Sequence, residues 1–134
     1  MKTLKFFSLA FIGLSVLSFF YVSVMAFISP QQVMDLVQVD LTNTDAMSSI
    51  RGVYGGVGMT IVISLAYLAF TNRRLALTFL AILWGSYAMS RLMTIYVDGT
   101  LGAFGTQWLM IETAFCAIGL ILLFSTRKLK RVNA

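Results

Sequence analysis

The sequence predicts an all-α fold: a four-transmembrane-helix bundle with both termini cytoplasmic and a short interfacial helix in the first outer loop. Hydrophobic residues make up 59% of the 134 residues, charged residues only 11%, and the mean hydropathy is +0.88. Soluble domains carry about 25% charged residues and are far less apolar. Four long apolar runs are separated by short polar connections, and the basic connections alternate with acidic ones. These observations together indicate a protein whose solvent is a bilayer.

Each apolar run has close to the ~20 residues that cross a hydrocarbon core of ~30 Å as a helix. The predicted spans cover residues 6–28, 48–70, 75–97 and 104–125. Helices are expected because backbone polar groups in lipid need partners within their own segment. The first run is longer than the ~7–15 apolar residues of a signal peptide, so we interpret it as a retained span. The whole chain, residues 1–134, is predicted to be a single integral membrane domain.

The basic residues outside the spans fall on one side of this arrangement. They precede the first span, separate the second from the third, and follow the fourth: Lys2, Lys5, Arg73, Arg74, Arg127, Lys128, Lys130 and Arg131. The other two loops hold four aspartates and no lysine or arginine. The positive-inside rule therefore places both termini in the cytoplasm, as in a bacterial inner-membrane protein. RNA binding by the basic tail explains one cluster only, so no nucleic-acid partner is expected.

The first outer loop contains "PQQVMDLVQV", with Pro30 at a helix start and Val33, Leu36 and Val37 on one side. This pattern is typical of a short helix lying at the membrane interface. Asp45 is predicted to be the N-cap of the second span. The connection from residue 98 to 105 is predicted to be a glycine-rich turn.

Three ionisable side chains remain within the spans: Arg51, Arg91 and Glu112. With the predicted topology, all three lie at one level in the outer third of the membrane. An unpaired charge at mid-bilayer costs about 2.5–3.5 kcal/mol, so three scattered charges are unfavourable. We therefore predict a cluster in which Glu112 accepts hydrogen bonds from both arginines. Asp98 lies on the face of Arg91 and is predicted to supply a second anion at the rim.

Aromatic residues are expected to line this cluster: Tyr54, Trp84, Tyr87 and Trp108. Ser15, Ser18 and Tyr21 form a polar stripe on the first span that would complete the wall. One interpretation is a buried salt-bridge network that fixes helix register. The other is a ligand site, since intramembrane ionisable residues are functional candidates. Without Asp98, two arginines facing one glutamate leave a surplus positive charge, which favours an anionic ligand.

Small residues recur every four positions along the second span. We call this set the small-residue stripe: Ser48, Gly52, Gly56, Thr60 and Ser64. Such stripes let helix backbones approach closely in lipid, so the stripe is predicted to pack against another helix, with a glycine-lined cavity as the alternative. Gly55 and Gly58 are expected to thin the adjacent face and leave room beside Arg51.

The composition excludes several chemistries. The chain has no histidine and one cysteine, which excludes a histidine zinc site, a Ser-His or Cys-His nucleophile pair and an internal disulfide. No cofactor or metal is expected, and no catalytic constellation is found. A transporter is the least favoured class, because duplicated halves and broken helices are not found in the sequence.

The segments "IRGVYGG" and "SRLMTIYVDG", followed by Glu112, resemble a bacterial family of small four-helix membrane proteins classed as a domain of unknown function. The matching positions are Arg51, Gly55 and Gly56; Arg91, Asp98 and Gly99; and Glu112. Ser90 stands where that family has a glycine before the arginine. The architecture is also similar in shape to DoxX-type membrane proteins. The resemblance implies the four-helix fold and the charged triad, and it implies no activity.

The residues favour two functions. The first is an outer-facing polar pocket that binds a small anion or a lipid head group. The alternative is a structural or accessory subunit that packs through the small-residue stripe, as a homo-oligomer or within a larger membrane complex. The expected partners are therefore membrane lipids and other membrane helices.

Overall fold

The computed structural model describes residues 2–132, with side chains described as far as Thr126. Its elements are helices: α1 (Lys2–Ile28), α2 (Pro30–Asp35), α3 (Thr44–Ile50), a π-helix (Arg51–Val57), α4 (Gly58–Thr71), α5 (Arg73–Val97) and α6 (Ala103–Val132). The described residues contain no strand. The all-α prediction is confirmed. The side chains of the predicted basic cluster at residues 127–131 lie outside the described residues.

Within the described part of the chain, four helices are long and apolar enough to cross a membrane: Lys2–Ile28, Thr44–Thr71, Arg73–Val97 and Ala103–Thr126. The second of these, which we call the second span, is continuous through α3, the π-helix and α4. The predicted four spans of an integral membrane protein are thus confirmed, with ends that differ by up to four residues.

The second span begins before residue 48 because a different residue caps it. The side-chain oxygen of Asn43 accepts a hydrogen bond of 2.8 Å from the backbone N–H of Ala46. The prediction that Asp45 is the N-cap is wrong, since Asp45 lies in the first turn. A carboxylate there still favours the helix, because the N-terminus carries partial positive charge. Asn72 caps α5 in the same way, accepting from Leu75 N–H at 3.1 Å.

The contacts of the chain form two compact units. One consists of Met1–Ile12 with Thr71–Ala134, and we call it the α5–α6 unit; the other, Gly13–Phe70, we call the second-span unit. In the α5–α6 unit, an apolar stripe at helical spacing runs along α5 and is buried: Ala76, Leu77, Leu80, Ala81, Trp84 and Ala88. The ring of Trp84 meets Phe115 of α6 edge-on, with centroids 4.9 Å apart.

Two glycines set the helix contact in the second-span unit. A Cβ atom at Gly55 would lie 2.9 Å from ring atoms of Phe27, and one at Gly58 would overlap the hydroxyl of Ser23. Both glycines are buried, so α1 and the second span approach closely at this point. The predicted room beside Arg51 is therefore wrong, because Phe27 and Ser23 cover that face.

The first loop folds over a small apolar core. Val33 and Met34 of α2 are buried with Ala26, and Met25, Leu41 and Ile50 pack against them. Gln31 braces this loop, since its amide donates to Asp35 and to the Val39 carbonyl and accepts from the Leu41 N–H. The predicted helix exists, but its apolar side differs from the prediction. Leu36 and Val37 are about half exposed and follow the end of α2, whereas Val33 is buried.

The polar stripe on α1 also differs from the prediction. The buried serines are Ser8, Ser15 and Ser23, while Tyr21 is 69% exposed. The hydroxyls of Ser8 and Ser23 donate to the carbonyls of Leu4 and Phe19 one turn earlier, at 2.8 and 2.7 Å. Ser8 and Ser23 therefore act as small residues whose polarity is satisfied within their own helix.

Candidate functional site

Arg91 of α5 and Glu112 of α6 form a bidentate ion pair. Arg91 Nε donates to Glu112 Oε2 at 2.7 Å, and Arg91 Nη2 donates to Glu112 Oε1 at 2.9 Å. It is the one salt bridge among residues whose side chains the structure describes. Both carboxylate oxygens are thus occupied by a planar guanidinium, the geometry in which charge-assisted hydrogen bonds are strongest.

The helix faces explain why these two side chains meet. Arg91 follows the buried Trp84 by seven residues and Ala88 by three, so it extends the buried stripe of α5. Glu112 precedes Phe115 by three residues, and that ring contacts Trp84. The packing that forms the apolar core of the α5–α6 unit therefore also aligns the two charged side chains.

The two partners are buried to different degrees. Glu112 is 2% exposed, and among the described residues it is the one buried ionisable side chain. The Arg91 side chain is 23% exposed. A guanidinium carries five N–H donors. Two of those of Arg91 bind Glu112, and the other three have no partner among the described residues.

Arg51 lies in the second-span unit, at the start of the π-helix. Its Nε donates to the carbonyl oxygen of Phe27 at 3.3 Å. Phe27 lies in the last turn of α1, where carbonyls lack partners within the helix, so Arg51 satisfies an otherwise open helix end. The predicted cluster of Arg51, Arg91 and Glu112 stays a prediction, whereas the Arg91–Glu112 pair is present.

Asp98 was predicted to add a second anion at the rim. It lies at the C-cap of α5 and is exposed, with its backbone N–H bonded to the Thr94 carbonyl at 2.8 Å. It takes part in no ion pair among the described residues. The neighbouring Gly99 has φ +106°, a left-handed conformation that glycine adopts without strain, and this turn directs the chain towards α6.

The four aromatic residues expected around the site have different surroundings. Trp84 is buried against Phe115, and its ring centroid lies 6.3 Å from that of Tyr87, which is 39% exposed. Trp108 is partly buried and packs against Phe104, with centroids 6.1 Å apart. Tyr54 belongs to the π-helix of the other unit and is 37% exposed. Trp84 is therefore a core residue.

The small-residue stripe does not provide the close contact within the chain. A Cβ atom at Gly52 or Gly56 would meet no heavy atom within 4 Å, whereas Gly55 and Gly58 are in contact with α1. Ser48 and Thr60 are exposed, and Ser64 is partly buried. The stripe is open on the surface of the second span, so its packing against another protein stays a prediction.

The π-helix at Arg51–Val57 was not predicted from the sequence. In a π-helix the hydrogen bonds join residues five apart, and such segments are rare and often found at functional sites. Three of its seven residues are glycines, Gly52, Gly55 and Gly56, which lower the cost of departing from α-helical geometry. The high glycine content of this segment was the sequence feature that could have indicated a π-helix.

No group of three or more metal-ligating side chains occurs among the described residues. Neither the curated proteins nor the solved structures contain a significant match to this chain. A family model described as a domain of unknown function, DUF4345, matches residues 7–123. This match extends from the second turn of α1 to the last buried turn of α6 and includes Arg51, Arg91 and Glu112. The chain therefore belongs to the DUF4345 family.

Proposed function

We propose that this integral membrane protein binds a small anion or a lipid head group at Arg91. The observation that supports the proposal is the divided guanidinium: one edge is held by the buried carboxylate of Glu112, and the remaining donors belong to a partly exposed side chain. A pair that serves only packing needs neither unpaired guanidinium donors nor a partly exposed arginine. Arginine with a fixed plane is well suited to carboxylate and phosphate groups.

The position along α5 supports the same role. Arg91 lies 18 residues after Arg73, which corresponds to about 27 Å at the helical rise of 1.5 Å per residue. A hydrocarbon core is ~30 Å thick, so the two arginines are separated by nearly its full depth. If Arg73 and Arg74 are at the cytoplasmic surface, as the positive-inside rule indicates, Arg91 lies near the head groups of the outer leaflet.

The proposed role is binding without catalysis. Glu112 is the carboxylate at the site, and both of its oxygens accept from Arg91. A general acid or base must reach the proton that it transfers, and an occupied, buried carboxylate is poorly placed to do so. In this proposal Glu112 positions Arg91, and the pair is electrically neutral before the ligand binds.

The experiment compares ligands retained by the purified protein in native mass spectrometry. The test variant is R91Q/E112Q, in which two amides can hydrogen-bond to each other and leave no unpaired buried charge. The matched control is R74Q, which removes an exposed arginine at the opposite end of α5. We expect the wild type and R74Q to retain an anionic ligand and the double variant to lose at least 90% of it. Equal retention by all three folded proteins would contradict the proposal.

A second role is supported by the open face of the small-residue stripe. The space at Gly52 and Gly56 would allow the backbone of another membrane helix to approach closely. We therefore propose packing against a second copy of this chain as the alternative function. G52L should lower the dimer fraction measured by crosslinking in native membranes, whereas G102L, at an exposed glycine in the turn before α6, should not. A wild type that yields monomer alone would eliminate this role.

A further inference from the structure

We infer that the ligand of Arg91 is the phosphodiester of a membrane phospholipid rather than an anion dissolved in water. This inference rests on the binding role proposed for Arg91. Three features of the α5–α6 unit support it: the edge of the guanidinium that remains open, the net charge of the ion pair, and the apolar surface on both sides of Arg91.

The open edge of the guanidinium has a defined geometry. Glu112 occupies the side defined by Nε and Nη2. The end defined by Nη1 and the second hydrogen of Nη2 presents two parallel N–H donors. Such a fork matches two oxygens of one phosphate or carboxylate group, which is the recurrent bidentate mode of arginine. A ligand with two equivalent oxygens on one centre is therefore favoured over a halide ion.

The charge of the site favours a singly charged ligand. Arg91 and Glu112 together are neutral, so a bound anion contributes its whole charge to a poorly hydrated position. The cost of removing an ion from water is large and increases with its charge. A phosphate monoester carries about 1.5 to 2 negative charges at pH 7. A phosphodiester carries one, which limits this cost while keeping the two oxygens that the fork requires.

The surroundings of Arg91 on α5 are apolar and exposed. Tyr87 and Ile95 lie one turn before and one turn after Arg91 on the same face of α5, and each is 39% exposed. Met89, Leu92 and Met93 lie on the other faces of α5 at this level and are 58%, 50% and 61% exposed. A dissolved anion gains nothing from this surface. A phospholipid whose phosphate is bound by Arg91 gains contact between its acyl chains and these exposed side chains, which removes apolar surface from water. The surface therefore distinguishes a lipid from a free anion.

The test separates the phosphate from the acyl chains. Delipidated protein in micelles is titrated with four probes, and bound ligand is measured by native mass spectrometry. Short-chain phosphatidylglycerol has both the phosphodiester and the chains, diacylglycerol has chains alone, glycerophosphoglycerol has the phosphodiester alone, and inorganic phosphate has neither chains nor an ester.

We expect wild type and R74Q to bind phosphatidylglycerol at least ten-fold more tightly than any of the other three probes. R91Q/E112Q should bind it no better than diacylglycerol. R91K retains the charge but loses the fork, so its affinity should also fall about ten-fold. Circular dichroism and gel filtration of each variant establish that it is folded before it is compared.

The binding role of Arg91 and the identity of its ligand as a phospholipid are contradicted by different results. If glycerophosphoglycerol or inorganic phosphate binds as tightly as phosphatidylglycerol and depends on Arg91, the site is real and the lipid inference is overturned. If R91K binds phosphatidylglycerol as tightly as the wild type does, binding does not require the two parallel donors of arginine, and the inferred bidentate contact is overturned. If phosphatidylglycerol binds equally to wild type and R91Q/E112Q, both the binding role and the lipid inference fail.

Discussion

At the scale of single residues, the two members of the ion pair differ in what each loses when the other is removed. Glu112 is almost completely buried, and a carboxylate without its partner there must remain charged at high cost or become protonated. Arg91 is partly exposed on a long side chain, so it can move its charged group towards a polar boundary. Removal of Arg91 should therefore destabilise the protein more than removal of Glu112 does.

We expect R91L to lower the free energy of unfolding by about 3–5 kcal/mol, the usual cost of removing one partner from a buried ion pair. E112L should cost less, because Arg91 can relocate. R91L/E112L should be closer to wild type than R91L is, since leucines of similar volume leave no orphaned charge. Unfolding in mixed micelles with increasing SDS measures all four proteins. Additive effects of the two single substitutions would contradict the coupling.

At the scale of helices, the close contact between α1 and the second span depends on particular glycines. Gly58 faces the buried Ser23, whose hydroxyl is already bonded to the Phe19 carbonyl, so there is little room for an added methyl group. Gly55 faces the ring of Phe27, which is 46% exposed and can move. Gly52 and Gly56 face open space.

We predict that G58A lowers the free energy of unfolding by about 1–3 kcal/mol, the usual range for overpacking. G56A should be neutral or stabilising, because alanine favours a helix over glycine by up to about 1 kcal/mol. S23A should rescue G58A by removing the hydroxyl that the new methyl group meets. The same SDS unfolding assay compares the three variants. A G58A protein as stable as G56A would mean that Gly58 is not a contact glycine.

The elements were predictable from the sequence to different extents. Runs of about 20 apolar residues specify the four spans, because length and hydropathy are properties of the segment itself. The small-residue stripe was assigned to packing on a strict four-residue spacing. The π-helix at Arg51–Val57 interrupts the α-helical repeat within that stripe. The glycines in contact with α1 are therefore Gly55 and Gly58, not Gly52 and Gly56. A local change of helix type is not visible in hydropathy.

The candidate site was also only partly predictable. Trp84 precedes Arg91 by seven residues, which puts the two on one face of α5, and a buried Glu112 needs a cation. The sequence does not specify which of two arginines binds a carboxylate. That choice depends on which helices pack together, and here α5 and α6 pack along their lengths with both Glu112 oxygens bound to Arg91.

At the scale of the whole molecule, the orientation in the membrane decides which leaflet Arg91 faces. In the topology predicted from the sequence, four spans place both termini on one side, together with the basic residues at positions 2, 5, 73 and 74. We predict that a green fluorescent protein at the C-terminus is fluorescent and that alkaline phosphatase at the same place is inactive. Alkaline phosphatase fused after Thr100 should be active. The reverse pattern would place Arg91 in the cytoplasmic leaflet and contradict the proposed level of its ligand.

The single cysteine provides an intrinsic reporter of helix separation. Cys116 is half-buried between α5 and α6, where its thiol donates to the Ala81 carbonyl at 3.5 Å and lies beside Gly85. A maleimide can modify one position per chain, because the sequence contains no other thiol. The rate of alkylation in intact vesicles therefore follows the opening of these two helices, with no engineered label to disturb them.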